Sequence, residues 1–492
     1  MKFFLEQLYN NLSAFSEYTA FHIEGQDFLY ADLRQRIATI QRQVLAHEEQ
    51  QYFGVITCNA IDTYAAIFAI WLSGKTAVPI GIKNPHERNQ FIIDQVEIKT
   101  IFNANRDRLS FEKTLMINTS DLLKVDAQPA LIEVPTDTDL YLLFTSGSTG
   151  FPKGVRISQA NFDAYLQAFF SCGYQFSPSD RCLQVYELTF DASVQCYTFP
   201  LLKGASIYTL PQGGIKFLSI MKVMKEHNIT FAKMPPSTIY YLKDYFDQIR
   251  LPYLRYCLFG AEAFPVELVK KWEHCVPNAE IHNVYGPTEA TINCTYYKWN
   301  REGRNKSRNG VASIGQEYMN MKAIVCDENL HELPDGEAGE LCMAGPQITP
   351  GYWKSPENNQ RSFFDKRINE KVYRFYRTGD LVIRDDEGDI QFIGRIDSQV
   401  QIDGHRIELG EVEYQAGNFS QAKCIALVTE SEELTHSIVL FVESVDVDET
   451  LLSEYLSTRL PVYMIPEKIV FVREIPLLSS GKTDRKKLLK ML

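Results

Sequence analysis

Short apolar runs alternate with longer amphipathic segments along the first half of the chain. Five of these runs predict buried strands, at residues 52–57, 76–80, 141–145, 205–210 and 256–260. Between them, residues 63–74 and 216–228 place apolar side chains at helical spacing. Because a helix between two buried strands carries the chain back across a sheet, this order favours an α/β fold with largely parallel sheets.

The pattern changes near residue 310. From there, segments 322–328, 339–345 and 376–395 combine short strand patterns with Asp, Glu and Gly at the turns, which predicts a β-rich subdomain. After Arg395 the pattern is mixed α+β as far as residue 492. We therefore predict an α/β protein with a large N-terminal domain of α/β subdomains plus a β-rich subdomain, followed by a small α+β C-terminal domain.

Charge and cysteine spacing limit the class of protein. The net charge of −12 at pH 7 opposes binding to nucleic acid or to an anionic membrane. The ten cysteines include no Cys-x-x-Cys pair, so we expect no zinc site and a reduced, cytoplasmic setting. Residues 1–15 predict an amphipathic helix rather than a signal peptide. Apolar runs are shorter than the roughly 18 residues of a membrane span.

One loop carries most of the chemical information. The segment LLFTSGSTGFPKGV, residues 142–155, follows a strand pattern with glycines, hydroxyl side chains and Lys153. Successive backbone N–H groups and a lysine ammonium suit phosphate oxygens. Pro152 and Gly154 break the Walker A pattern, and a strand pattern, then a helix capped by Ser158, follows. A plain surface turn would rarely carry Pro-Lys-Gly into a strand, so we predict a nucleotide-phosphate loop.

Further motifs follow this loop in a fixed order. They are NVYGPTEAT (283–291), GELCMAGPQITPGYW (339–353), YRTGDL (376–381), FIGR (392–395), GRIDSQVQIDGHRIELGEVE (394–413) and SSGKTDRKKL (479–488). Together with the phosphate loop, this set resembles the adenylate-forming superfamily, which includes acyl-CoA synthetases, luciferases and adenylation domains of nonribosomal peptide synthetases. We assign no chemistry to 339–353, which fits the family as a scaffold segment.

The resemblance implies an ATP site with Mg²⁺. Asn283 would bond the adenine edge, Tyr285 would stack on the ring, Thr288 would touch the α-phosphate and Glu289 would hold Mg²⁺. Read alone, the segment 283–291 could be an ordinary Gly-Pro turn. The residues that the resemblance assigns to ATP are Thr145, Ser146, Gly147, Ser148, Thr149, Gly150, Lys153, Asn283, Val284, Tyr285, Gly286, Pro287, Thr288, Asp380, Phe392, Arg395 and Lys482.

The resemblance also implies a mobile C-terminal domain. Asp380 would accept both ribose hydroxyls, and Lys482 would be catalytic together with Thr288 and Glu289. Asp397 would be the hinge between an N-terminal adenylation core, residues 1–396, and a mobile domain, residues 397–492. The chain departs from the family at Phe392, where Tyr is common, and at Gln401 and Asp403, where Lys and Arg are common.

The segment LTFDASV, residues 188–194, indicates the substrate class. In amino-acid-activating members an Asp at the place of Asp191 pairs with the substrate α-ammonium. Read alone, Asp191 could cap a helix. Phe259 stands where many members have a small residue, so we expect a shallow pocket. Lys233 leaves two alternatives open: it faces a short acceptor side chain such as that of Asp or Asn, or it points away and the pocket suits Ala, Gly or Ser.

The residues that resemble the amino-acid pocket are Asp191, Ala192, Gln195, Lys233, Cys257, Phe259, Val284, Ile292 and Asn293. We expect ATP-dependent activation of a small α-amino acid and its transfer to the phosphopantetheine thiol of a separate carrier protein, in nonribosomal peptide-type biosynthesis. A D-alanine–carrier protein ligase and an acyl- or aryl-CoA ligase are the alternatives. A non-catalytic nucleotide-binding homologue is a third.

Overall fold

A computed structural model describes residues 3–105, 107, 109–147, 150–397, 399–430, 436–444, 446–476 and 483–492. The helices are α1 (Phe3–Ala14), α2 (Tyr30–Leu45), α3 (Ile61–Leu72), α4 (His86–Val96), α5 (Gln159–Ser171), α6 (Asp191–Thr198), α7 (Lys216–Glu226), α8 (Pro236–Tyr240), α9 (Val266–Trp272), α10 (Pro356–Ser362), α11 (Leu409–Ser420), α12 (Glu449–Arg459) and α13 (Arg485–Leu489). No helix of these residues is both long enough and apolar enough to cross a bilayer.

The strands are β1 (Thr19–Ile23), β2 (Gln26–Leu29), β3 (Tyr52–Thr57), β4 (Thr76–Gly81), β5 (Thr100–Asn103), β6 (Leu115–Asn118), β7 (Asp139–Thr145), β8 (Lys153–Ser158), β9 (Arg181–Gln184), β10 (Ser206–Thr209), β11 (Phe231–Met234), β12 (Tyr256–Phe259), β13 (Glu280–Tyr285), β14 (Thr295–Lys298), β15 (Ser307–Arg308), β16 (Val311–Ala312), β17 (Gln316–Glu317), β18 (Lys322–Cys326), β19 (Ala338–Ala344), β20 (Phe363–Ile368), β21 (Lys371–Arg384), β22 (Ile390–Arg395), β23 (Gln399–Ile402), β24 (His405–Glu408), β25 (Cys424–Glu430), β26 (His436–Val442) and β27 (Lys468–Phe471). The five strands and two helices predicted from apolar periodicity are β3, β4, β7, β10, β12, α3 and α7, and all are confirmed.

The chain divides into two compact units. The first comprises Met1–Ile80, Glu97–Leu143 and Gly154–Ile396, and the second comprises Gly81–Val96, Phe144–Lys153 and Asp397–Leu492. The last segment of the second unit therefore begins at Asp397. The role of this residue as a hinge stays a prediction.

Two large sheets build the first unit. One has nine strands in the order β17-β14-β13-β12-β11-β9-β10-β1-β2, and the other has six in the order β6-β5-β3-β4-β7-β8. The five neighbouring strands β13, β12, β11, β9 and β10 pair in parallel. Helix α3 is buried at every residue except Asp62, as a helix that is apolar all round must be. The predicted α/β class is confirmed.

A smaller antiparallel sheet follows in the same unit, as the change of pattern near residue 310 predicts. Its strands run β18-β19-β21-β20, with β22 paired to β21. The register of β21 and β22 sets Asp380 opposite Arg395. The fold thus brings together two residues of separate sequence motifs.

The second unit packs α11 and α12 with the sheet β25-β26-β27. An ion pair inside it joins Arg88 of α4 to Glu411 of α11, and their side chains are only 6% and 1% exposed. A second ion pair joins Arg459 of α12 to Glu87, with side chains 39% and 54% exposed. The two pairs provide a matched comparison, because the first is buried and the second is exposed to solvent.

We expect Arg88→Met to lower the free energy of unfolding of the second unit by about 3–5 kcal/mol, since it leaves the Glu411 carboxylate buried without its cation. Arg459→Met is the control, with an expected loss of about 0–1 kcal/mol for an exposed pair. Denaturant unfolding of the full chain checks both. Equal losses from the two variants would contradict the prediction.

Candidate functional site

The carboxyl ends of the parallel strands β11, β12 and β13 meet at one edge of the nine-stranded sheet, the place where open α/β sheets bind ligands. The chain leaves β13 through Gly286 and forms a short 3-10 helix, Thr288–Ala290. A Cβ atom on Gly286 would lie 2.5 Å from Cα of Asn293, so only glycine fits there. Thr291 and Ile292 then take positive φ angles of 57° and 73°, a backbone that costs energy unless neighbours hold it.

Residues of the segment 339–353 hold this loop. The buried Gln347 amide donates to the backbone oxygens of Asn293, at 2.7 Å, and Ala290, at 3.2 Å. The Thr291 hydroxyl donates to the Gln347 carbonyl, and Thr349 N–H donates to the Glu289 carbonyl at 2.9 Å. The sequence predicts only a scaffold role for this segment, because the contacts that hold the loop join residues more than fifty positions apart.

Glu289 is fully buried and its carboxylate has a phenol partner. The Tyr352 hydroxyl donates to Glu289 Oε1 at 2.6 Å, and Glu289 is 0% exposed. A buried carboxylate is costly unless it is paired, hydrogen-bonded or bound to a cation. The sequence predicts no role for Tyr352, although the Gly-Tyr-Trp pattern of 351–353 marks its position.

Tyr285, Asp380 and Arg395 form a second cluster in the first unit. The Tyr285 hydroxyl donates to Asp380 Oδ2, and Arg395 Nη1 donates to Asp380 Oδ1 at 2.8 Å and to the Thr378 carbonyl at 2.8 Å. Burial, and then the charge of Asp380, raise the pKa of the Tyr285 phenol well above its usual value. Both oxygens of the carboxylate assigned to the ribose thus already accept hydrogen bonds.

Three further residues that the resemblance assigns to ATP have partners within the protein. The Asn283 amide donates to the Ser313 carbonyl at 2.9 Å, and Val284 is buried in the main hydrophobic cluster. Phe392 packs against that same cluster. Asn283 and Val284 therefore have structural partners in addition to any contact with a base.

Lys233 lies inside the predicted amino-acid pocket. It is 2% exposed, and its Nζ donates to Gln195 Oε1 at 2.7 Å and to Asn293 Oδ1 at 3.1 Å. Burial lowers the pKa of the ammonium to about 8, against the opposing effects of Cys196 and Asp191. The Lys233 side chain thus faces Gln195 and Asn293, two other residues of the predicted pocket, and the choice between the two substrate alternatives stays a prediction.

Asp191 begins α6 on the same side as this cluster. Its Oδ2 atom is shielded from solvent and has no hydrogen-bond partner among the described residues. Burial raises the pKa of the carboxyl, while Lys233 and the Thr288 side chain oppose the rise. Asp191, Gln195, Lys233, Thr288 and Asn293 are thus brought together from three separate segments: α6, β11 and the loop after β13.

Other predicted pocket residues face elsewhere. Lys233 pairs in register with Leu258, so the side chains of Cys257 and Phe259 point to the opposite face of the sheet. There Phe259 packs on Phe264, with ring centroids 5.4 Å apart, and burial raises the pKa of the Cys257 thiol to about 12. Ala192 packs against the same cluster, whereas Ile292 belongs to the cluster of Val284.

The phosphate loop belongs to the second unit and contacts carboxylates there. Gly147 N–H donates to Glu411 Oε2 at 3.3 Å, and Lys153 Nζ lies 3.7 Å from Glu408 Oε1. The Ser146 hydroxyl donates to the Arg406 carbonyl at 3.0 Å, and Gly150 has a φ of 85°. Nucleotide phosphates would have to replace these carboxylates. Ser148, Thr149 and Lys482 lie outside the described residues.

The comparison with known families decides the assignment. Residues 8–353 match the family described as AMP-binding enzyme. The chain belongs to the AMP-binding enzyme family. The resemblance of its motifs to the adenylate-forming superfamily is thereby confirmed.

Relatives of this AMP-binding enzyme are peptide synthases. It is 32% identical over 446 residues to gramicidin S synthase 1 of Brevibacillus brevis, and this alignment covers 88% of this chain and 39% of that protein. It is 31% identical over 451 residues to zwittermicin A synthase ZmaJ of Bacillus cereus, which covers 88% of this chain and 84% of that protein. The chain thus spans less than half of the first relative and most of the second.

A solved structure shares the fold of this AMP-binding enzyme. The Vibrio cholerae adenylation domain AlmE, in complex with glycyl-adenosine-5'-phosphate, superposes with a TM-score of 0.85 at 23% identity over 99% of this chain and 97% of that one. The large N-terminal part and the small C-terminal part predicted from sequence agree with this fold.

The donor set of the AMP-binding enzyme fits Mg²⁺. Glu289 offers a hard carboxylate oxygen beside Thr288, and Mg²⁺ at a nucleotide site typically takes one or two carboxylates, with phosphate oxygens and water for the rest. Among the described residues no three acidic, His or Cys side chains cluster to hold a metal by themselves. When bound, the ion would neutralise phosphate charge.

Proposed function

We propose that this enzyme activates a small α-amino acid as its aminoacyl adenylate and transfers it to the phosphopantetheine thiol of a separate carrier protein. One observation carries the proposal: Asp191 presents a shielded Oδ2 atom without a hydrogen-bond partner among the described residues. An acceptor of this kind is costly unless a ligand satisfies it. A substrate ammonium is the complement, because it brings both donors and the opposite charge.

The first half-reaction joins the amino acid to AMP. A carboxylate oxygen of the substrate attacks the α-phosphorus of ATP, the new P–O bond forms, the bond to the β-phosphate oxygen breaks and pyrophosphate leaves. Asp191 would fix the ammonium and thereby aim the carboxylate, and Thr288 would contact the α-phosphate. Orientation and charge stabilisation supply most of the rate in such a step.

The second half-reaction moves the acyl group. A thiolate of the carrier attacks the carbonyl carbon of the mixed anhydride, a thioester forms and AMP leaves with the electron pair of the broken C–O bond. Peptide synthases among the relatives support a carrier as the acceptor rather than free coenzyme A. Asp191 also argues against an acyl- or aryl-CoA ligase, because the substrates of such a ligase have no ammonium group.

ATP–pyrophosphate exchange tests the proposal. Purified enzyme is assayed with ATP, labelled pyrophosphate and a panel of L-, D- and non-protein α-amino acids, with the matched des-amino acids as controls. We expect exchange with at least one small α-amino acid and none with its des-amino analogue. AMP release with a phosphopantetheinylated carrier, but not with coenzyme A, tests the acceptor. Exchange with aryl or fatty acids alone would contradict the proposal.

A further inference from the structure

We propose that the preferred substrate is an α-amino acid with a short side chain that ends in a carboxylate. The inference rests on the proposed function and deepens it. Its basis is two buried polar atoms, the donor Gln195 Nε2 and the acceptor Asp191 Oδ2, which have no hydrogen-bond partner among the described residues.

The donor end is the cluster of Lys233, Gln195 and Asn293. Lys233 Nζ uses two of its three N–H donors, on Gln195 Oε1 and Asn293 Oδ1. Gln195 is 0% exposed, and its Nε2 has no hydrogen-bond partner among the described residues. A ligand that completes this end must bring acceptors.

The positive charge of Lys233 also lacks an anionic partner among the described residues. Among the described residues, no carboxylate oxygen lies within 4.0 Å of Lys233 Nζ, and the two groups that accept its hydrogen bonds are both neutral amides. Cys196 does not supply an anion, because burial raises the pKa of its thiol to about 12. Buried lysines are rarely left without an anionic partner. A side-chain carboxylate would supply one, whereas a carboxamide would turn its own N–H donors toward those of Gln195.

Asp191 would bind the other end of the same substrate, its ammonium group. Asp191 and Gln195 are four residues apart on α6, so they share one helix face with Cβ atoms about 5–6 Å apart. A ligand ammonium at Asp191 Oδ2 thus leaves room for only a short side chain before the donors at Gln195 and Lys233. Asp191 is the carboxylate that acts electrostatically on Lys233, after the Cys196 sulfur. Once the substrate ammonium takes Asp191, the lysine needs another anion.

The pair of isosteric substrates L-aspartate and L-asparagine tests the inference. Exchange is measured with both enantiomers of aspartate, glutamate, asparagine, serine and alanine. For wild type we expect kcat/KM with a carboxylate-bearing amino acid to exceed that with its carboxamide by at least about tenfold. A preference for alanine, serine or asparagine would overturn the inference but leave the proposed function intact. No exchange with any amino acid would overturn both.

Variants separate a specificity role from a structural one. Lys233→Met should lower the ratio of kcat/KM for the acidic substrate to kcat/KM for alanine by about a hundredfold. A loss equal for all substrates would contradict the inference. Where Lys233→Met melts below the assay temperature, Gln195→Glu decides. It is nearly isosteric, and its carboxylate should repel the acidic substrate and lower the same ratio by a similar factor. Equal kinetics of wild type and Gln195→Glu would overturn the inference.

Discussion

Asp191→Asn should reduce kcat/KM for the amino acid by about a hundredfold to a thousandfold in pyrophosphate exchange. The substitution keeps the size of the side chain and removes its charge, so the substrate ammonium enters a shielded site without its counter-ion. Removal of one partner of a desolvated charge pair typically costs about 2–5 kcal/mol. The KM for ATP should stay nearly constant, since the lost contact is made by the amino acid.

The control is Asp247→Asn, at an exposed aspartate on the same unit. This variant also removes one carboxylate charge, but away from Asp191, and it should keep wild-type kinetics. If Asp191→Asn retained full exchange, or raised only the KM for ATP, Asp191 would not bind the substrate ammonium.

Lys482→Ala should lower the rate of adenylate formation by at least about a hundredfold and leave thioester formation nearly intact. Negative charge builds on oxygen atoms as pyrophosphate departs, and a prepositioned ammonium stabilises it in the transition state. This prediction comes from the Gly-Lys-Thr-Asp-Arg motif at 481–485. Pyrophosphate exchange measures the first step, and AMP release from chemically prepared aminoacyl adenylate with holo carrier measures the second.

Lys486→Ala is the matched control, because Lys486 is exposed on α13 only four residues away. It should behave as wild type in both assays. A parallel loss of both half-reactions in Lys482→Ala would indicate a general defect of the C-terminal segment. Full exchange activity would remove Lys482 from the catalytic set.

Apolar periodicity was enough to place the buried strands and helices. β3 covers the predicted run 52–57, and Ser158 caps α5 with its hydroxyl accepting from Asn161 N–H. These features depend on residues close together in sequence, where spacing and capping chemistry act directly. The family assignment followed from motifs in fixed order.

Local sequence patterns could not predict the direction of a side chain or its partners far away in the sequence. Whether Lys233 turns inward is decided by Gln195 and Asn293, which lie 38 and 60 residues away. The face taken by Phe259 depends on the register of β11 and β12. Gln347 and Tyr352 act through contacts with 290–293 and Glu289 that no nearby residue signals. Such long-range pairings depend on the assembled sheet.

A crystal structure with a non-hydrolysable aminoacyl-adenylate analogue would test the placement of the substrate most directly. The α-ammonium nitrogen should lie within hydrogen-bonding distance, about 2.7–3.2 Å, of Asp191 Oδ2, and the adenosine ribose should lie at Asp380. An ammonium that points to solvent, or a ligand bound away from Asp191 altogether, would contradict amino-acid activation at this site.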